Sequence, residues 1–284
     1  MRRFLPNFGA LVLVALLVGA VVWLRPGPPP PAPQPPEQPR EAVLEYADGS
    51  RMWGSWDGRP PSSEVRRVVK ELGESGMPLE QLERTGAVVR TTLDVKAQAA
   101  AAAVVGRLVA PLQRGAAVTA VDPASGGVRV YLSLSRTHDL AGGEVQDLGP
   151  VVARPLAEAA SPNPVQAKMQ PLELSSLFAG LASGGEERRT HFVTSVTARD
   201  GAVLYKAVEV VAVTTDKAVA ERITARLKEQ NGCNGTACVP DAAPWAVSYT
   251  PALSVAVFVD QAGGAVDAGL SRAVWQEFLA GAGG

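Results

Sequence analysis

The sequence predicts an α+β fold in which an antiparallel sheet is flanked by helices. Some segments repeat apolar residues every three or four positions, as one face of a helix does, and others are short, rich in valine and threonine and bounded by turns. Both kinds of segment occur in both halves of the chain. This order indicates α+β, and we expect strands from the two halves to join one antiparallel sheet.

The first half is predicted to hold strands and helices in alternation. We expect a short strand at Tyr46–Ser50 that ends in an Asp-Gly turn, a helix capped by Ser62 or Ser63, a turn at Pro78, a strand from Ala87 to Leu93, and an alanine-rich helix from the capping residue Asp94 to about Leu112. The strands 116–121 and 128–134 follow, around a turn rich in glycine, proline and aspartate.

The second half continues in the same way. We expect a helix from Pro171 to Ala182 that ends at Gly184-Gly185, a hairpin of the segments 192–197 and 202–207, a helix capped by Asp216, strands at 245–249 and 253–260, and a last helix from about Asp267 to Leu279.

The composition excludes several functions. A hydrophobic content of 46% in 284 residues suffices for a core, whereas a net charge of -1 and 5% aromatic residues give no case for nucleic-acid binding. His138 and His191 are the only histidines, so neither a metal site nor a histidine-based triad is supported. No cofactor is expected.

The N-terminus predicts a membrane anchor. Phe8 to Leu24 is an uninterrupted apolar run that would extend roughly 26 Å as a helix, close to the thickness of a bilayer core. Two arginines precede it, which favours a cytoplasmic N-terminus and an extracytoplasmic remainder. The alternative is a cleaved signal peptide, but the end of the run offers no small-x-small cleavage site. We therefore expect residues 1–25 to be a single-pass anchor in the cell membrane.

A proline-rich linker follows at residues 26–40. Residues 25–40 contain nine prolines and no apolar periodicity, which favours extended polyproline II. At about 3.1 Å per residue the linker could hold the folded domain, residues 41–284, up to roughly 50 Å from the membrane.

Several motifs resemble, in order, the transpeptidase domain of bifunctional (class A) penicillin-binding proteins. The main ones are Gly86-Ala-Val-Val-Arg-Thr-Thr-Leu-Asp94, Pro171-Leu-Glu-Leu174 and Trp245-Ala-Val-Ser-Tyr-Thr-Pro251, with Ser248 where the family has glycine. Tyr46-Ala-Asp-Gly49, Gln98-Ala-Ala100 and the turn at 122–127 are also similar. The resemblance covers most of residues 41–280 and implies the penicillin-binding and β-lactamase-like transpeptidase fold.

The chemistry of that family is missing. Acyl transfer there requires a Ser-x-x-Lys nucleophile and a Lys-Thr-Gly strand, yet none of the six lysines has serine three residues before it or Thr-Gly after it. Only thirty-five residues separate Ser135 from Pro171, the interval where the family has its nucleophile helix. The glycosyltransferase domain is also absent, so the domain is expected to be degenerate and internally shortened, with no catalytic residue.

The remaining candidate residues are the two cysteines and the residues between them. The strand of the Lys-Thr-Gly motif aligns best with Cys233-Asn-Gly-Thr236, so the resemblance implies that Asn234, Gly235 and Thr236 could bind a peptide carboxylate. Cys233 and Cys238 are predicted to form a disulfide outside the cytoplasm, with free or reactive thiols as the alternative.

Three other serines are weaker candidates. Ser161-Pro-Asn163 matches Ser-x-Asn formally, but alone this motif has no acylated serine to serve. Ser175 and Ser176 have no lysine or histidine nearby in sequence, and we interpret them as packing residues.

Three functional hypotheses remain open at this point. The favoured one is a non-catalytic, membrane-anchored domain that binds peptidoglycan stem peptide or proteins of cell-wall synthesis. The second is an enzyme of altered acyl-transfer chemistry that uses Cys233, against which no general base is close in sequence. The third is a decaying remnant of a bifunctional penicillin-binding protein.

Overall fold

The structure is a computed structural model that describes residues 40–161, 165–230, 232–233, 235–261 and 268–282. The predicted anchor at Phe8–Leu24 and most of the linker therefore lie outside the described residues, as do Asn163 and Asn234.

Seven α-helices and fourteen strands are described within those ranges. The helices are α1 Ser63–Glu74, α2 Leu79–Thr85, α3 Val95–Leu108, α4 Gly149–Ala160, α5 Pro171–Ala182, α6 Lys217–Lys228 and α7 Ala268–Ala282. The strands of the first half are β1 Val43–Glu45, β2 Arg51–Gly54, β3 Val88–Thr91, β4 Ala116–Val121, β5 Val128–Leu134 and β6 Gln146–Asp147. Those of the second half are β7 Lys168–Met169, β8 Glu186–Arg188, β9 Val193–Thr197, β10 Val203–Lys206, β11 Val211–Val213, β12 Ala237–Ala242, β13 Trp245–Tyr249 and β14 Ser254–Val259.

The larger sheet joins strands from both halves of the chain. Its order is β12-β13-β14-β4-β5, and every neighbouring pair is antiparallel. The central pair sets Val257 of β14 opposite Val118 of β4. Both strands are buried along their whole length, which explains why all their residues except Thr119 and Ser254 are apolar. The predicted antiparallel sheet is confirmed.

Helices cover both faces of this sheet. Ala116, Val118 and Ala120 point to a core shared with α3 and α7, while Ala117 and Val121 point to the core shared with α5. Alternate residues of a strand face opposite sides, so one apolar strand contributes to two cores. The fold is therefore α+β with helices flanking an antiparallel sheet, as predicted, and the helices on its two faces make three layers.

A second five-stranded sheet has the order β10-β9-β3-β1-β2. Its β1 and β3 are parallel and its other pairs antiparallel. The carboxylate of Glu71 on α1 accepts hydrogen bonds from the backbone N–H of Phe192, at 2.8 Å, and of Val193, at 3.1 Å. Burial raises the pKa of Glu71. These bonds tie α1 to the start of β9.

The helix starts were largely predicted from side-chain chemistry. Asp94 accepts from the N–H of Lys96 and Ala97, and Asp216 caps α6 in the same way. Ser62 occupies the N-cap position of α1, but its hydroxyl makes no capping bond, so that part of the prediction was wrong.

The alanine-rich helix ends earlier than predicted. Its α-helical part stops at Leu108 and a 3-10 turn covers Ala110–Leu112, because Pro111 cannot donate to the helical ladder. Within the described part of the chain, Val95–Leu112 is long and apolar enough to cross a membrane by length and composition alone. In the fold, α3 packs against α7 and β5.

Candidate functional site: a groove between α4 and β12

Two cavities meet at the first turn of α4, and both are lined by Pro150 and Val151. One, of 390 Å³, extends to Ala242 at the end of β12 and to Pro244. The other, of 350 Å³, extends to Gln230, two residues beyond the end of α6. Because α4 and α6 both pack against β12, the outer strand of the larger sheet, we call the two cavities together the α4 groove.

The helix α4 lies in the interval between β5 and α5, where the resembled family has its Ser-x-x-Lys helix. No helix was predicted there, and the prolines at 150 and 155 interrupt the helical pattern of this segment. Pro150 is tolerated in the first turn, whereas Pro155 lies inside the helix and is buried. The signal available in the sequence was the apolar pair Val152 and Leu156, both buried on one face.

Val151 and Arg154 stand three residues apart on α4, the spacing of Ser-x-x-Lys, and both line the 350 Å³ cavity. Val151 is 50% exposed. A valine has no hydroxyl to attack a carbonyl, and an arginine guanidinium keeps its protons at any physiological pH. This pair therefore supplies neither a nucleophile nor a general base.

The predicted binding residues lie just before β12 rather than in it. The strand begins at Ala237, and the N–H of Thr236 bonds to the carbonyl of Cys233 at 2.8 Å, which closes a turn. Gly235 lies in this turn with φ of 79°. Gly235 and Thr236 thus precede the strand edge along which we expected them, and Asn234 is outside the described residues.

Cys233 and Cys238 are joined in a disulfide, with their Cα atoms 5.7 Å apart. Both are buried, in the core that also holds Val274 and Trp275 of α7. A disulfide sulfur is not a thiolate, so Cys233 is not available as a nucleophile in this state.

The other serines make structural hydrogen bonds. The hydroxyl of Ser175 donates to the carbonyl of Leu172 at 2.9 Å, and that of Ser176 bonds to the hydroxyl of Thr190 at 3.0 Å. Ser161, at the C-terminal end of α4, is exposed. No lysine or histidine activates any of them within the residues that the structure describes.

The two histidines do not form a catalytic pair with a serine. His138 Nδ1 lies 2.8 Å from Glu144, and His191 Nδ1 lies 3.3 Å from the carbonyl of Arg189. Among the described ranges, no group of three or more histidine, cysteine, aspartate or glutamate residues is placed to hold a metal ion.

The α6 end of the groove is basic. Arg226 Nη2 lies 2.7 Å from Glu158 of α4, and Arg222 Nε lies 3.4 Å from the other oxygen of the same carboxylate. The hydrogen bond from Arg226 lowers the pKa of Glu158. Arg154 is exposed and makes no ion pair with the part of the chain that is described. Arg222 and Arg226 thus share the one carboxylate of Glu158, and Arg154 stands apart from it.

Ser248 has a partner that the sequence did not reveal. The indole Nε1 of Trp275 donates to the Ser248 hydroxyl at 2.6 Å, and both residues are buried. The serine therefore connects β13 to α7 at the position where the resembled family has glycine.

Solved structures of penicillin-binding proteins share this fold. PonA1 from Mycobacterium tuberculosis superposes with a TM-score of 0.65 and 21% identity over 78% of this chain and 90% of its own. PBPA from the same organism gives 0.67 and 13% over 87% and 100%. The D,D-transpeptidase domain of the peptidoglycan glycosyltransferase from Eggerthella lenta gives 0.63 and 15% over 86% and 98%.

No family model and no curated protein sequence matches the chain. At these identities the likeness to the solved structures establishes the fold and leaves the activity open. The strand order across both halves, the Pro-Leu-Glu helix α5 and the superpositions agree with one another. The chain therefore has the transpeptidase fold of the penicillin-binding proteins.

Proposed function

We propose that this protein is a non-catalytic, membrane-anchored member of the cell-wall synthesis machinery, a pseudo-transpeptidase whose folded domain binds partners outside the cytoplasm. The observation that carries the proposal is α4. It lies in the sequence interval where the resembled family has its nucleophile helix, and Val151 and Arg154 line the groove at the spacing of serine and lysine in that family's motif.

The atoms that line the groove support the proposal that acyl transfer is lost. The reaction needs a hydroxyl or thiol that attacks the substrate carbonyl and a base that accepts its proton. Val151 offers no such group, Arg154 accepts no proton, and the sulfur of Cys233 is bonded to Cys238. This argument also disfavours an enzyme that uses Cys233.

A binding role requires no nucleophile or base, only a surface such as the α4 groove. The α4 groove runs beside the outer strand of the sheet, and strands at a sheet edge can accept an extended peptide through main-chain hydrogen bonds. Gly235 and Thr236 lie in the turn immediately before that strand. Peptidoglycan stem peptide, or a segment of a cell-wall synthesis protein, is the partner that the fold favours.

Two assays on the purified protein test the proposal together. We expect no stable band after labelling with a fluorescent penicillin, and retention of the protein on peptidoglycan sacculi or on a synthase partner. Substitution of Val151 by Trp fills the groove at a half-exposed position and should abolish retention. Val211→Trp, at a similarly exposed valine of β11 (45%), is the matched control and should leave retention intact.

The outcomes separate the hypotheses. A labelled band that a single serine or Cys233 substitution removes would restore the enzyme hypothesis. Failure to retain sacculi or any synthase would leave a decaying remnant. For the anchor, alkaline phosphatase fused after Arg40 should be active, and activity of only a cytoplasmic reporter at the same place would contradict the topology.

A further inference from the structure

We infer that the α6 end of the α4 groove is a binding site for an oxyanion, a phosphate or carboxylate group of the ligand, held by Arg154 and Arg226. The inference rests on the proposed function for its premise that the groove binds a ligand, and it adds the chemistry of one end of that groove.

The site is a defined cavity between two helices. Its 350 Å³ are lined by Pro150, Val151, Arg154, Pro155, Arg226, Leu227 and Gln230. Apolar side chains form the walls, while two guanidinium groups and one amide are the polar side chains among its lining. Each of these three groups carries N–H donors that suit oxygen acceptors.

The charges near the cavity do not cancel. Glu158 is the single carboxylate in the cluster and is bonded to both Arg222 and Arg226. Counting Arg154, the cluster of three arginines and one glutamate carries a surplus of two positive charges. Because Glu158 already holds one fork of Arg226, that arginine is oriented in advance, which lowers the entropic cost of binding.

The first turn of α4 already has a carboxylate at its end. The N-terminal N–H groups of an α-helix have no carbonyl partners within the helix and give this end a partial positive charge. Asp147 Oδ1 accepts a hydrogen bond from the N–H of Gly149 at 2.8 Å, which offsets part of that charge. The arginines that line the cavity, and not the helix end, are therefore the groups that favour an anion at this place.

Protection from an arginine reagent tests the inference on the full chain in detergent micelles. The protein is treated with phenylglyoxal, and modification of each arginine is quantified by peptide mass spectrometry. Inorganic phosphate and citrate are titrated separately, at constant ionic strength because surface attraction is screened by salt. Arg84, an exposed arginine of α2 outside the cluster, is the internal reference.

We expect phosphate, citrate or both to slow modification of Arg154 saturably and to leave Arg84 unaffected. Arg226→Gln should raise the half-protecting concentration at Arg154 on the order of tenfold, since a charge-assisted hydrogen bond is lost. Arg84→Gln should leave it unchanged. Protection by phosphate alone identifies a phosphate-bearing ligand, and protection by citrate alone identifies a carboxylate-bearing one.

Equal protection at Arg84, or an Arg226→Gln variant that is protected like the wild type, would refute the oxyanion site. Sacculus retention without such protection would refute this inference and leave the proposed function standing. Protection without any retention would refute the proposed function and leave the oxyanion site standing.

Discussion

We expect the buried hydrogen bond between Trp275 and Ser248 to give a large coupling energy in a double-mutant cycle of unfolding free energies. Trp275 is 4% exposed and Ser248 is 2% exposed, and the distance from Trp275 Nε1 to Ser248 Oγ is 2.6 Å. Trp275→Phe leaves the serine hydroxyl without this donor, and Ser248→Ala leaves the indole N–H without its acceptor. Each orphaned buried group costs about 1–3 kcal/mol.

The double variant removes both polar groups at once, so neither penalty remains. We therefore expect it to be more stable than the sum of the single changes predicts, by up to the two penalties together, about 2–6 kcal/mol. The smaller phenyl ring adds a cavity cost, but that cost appears in both arms of the cycle and cancels.

The free energy of unfolding in urea is measured for the wild type, the two single variants and the double variant. Residues 39–284 form one compact unit, so a fragment from Arg40 onward is suitable. Far-UV circular dichroism is the appropriate signal, because Trp275→Phe changes the fluorescence itself. If the single free-energy changes add to within about 0.5 kcal/mol in the double variant, the bond does not contribute as the geometry indicates.

Two further predictions concern the disulfide and the buried carboxylate. Alkylation of the non-reduced protein should modify neither Cys233 nor Cys238, and replacing both by serine should cost about 2 kcal/mol, since the bridge closes a short loop; two alkylated thiols would contradict the bond. Glu71→Ala should lower the unfolding free energy by roughly 2–4 kcal/mol at acid pH, because two backbone N–H groups lose their acceptor. The folded-state pKa of Glu71 is raised, so the folded protein binds this proton more tightly; the advantage of the wild type is full below the unfolded pKa and declines as pH rises through the folded pKa. A difference between wild type and variant that stays constant over this window would contradict the burial argument.

Local chemistry made much of the fold predictable. Asp94 and Asp216 predict helix starts because a carboxylate accepts hydrogen bonds from the unpaired N–H groups of a first turn. The apolar strands β4 and β14 and the helix α5 were predicted at their observed places, since periodicity reports burial directly. Within α4 the same signal was weakened by Pro150 and Pro155, which is why that helix was missed.

The groove required the tertiary structure. Val151 and Arg154 can be recognised as groove residues only when α4 is seen beside β12 and α6. The ion pair of Arg226 with Glu158 joins residues that are sixty-eight positions apart in the sequence. Likewise, no spacing rule relates Ser248 to Trp275. The absence of the family's nucleophile and lysine motifs was determined by the sequence alone, because a missing side chain cannot be supplied by folding. Which groups stand together in their place was decided by strand pairing and helix packing, since contacts between distant segments leave no local periodicity in the sequence.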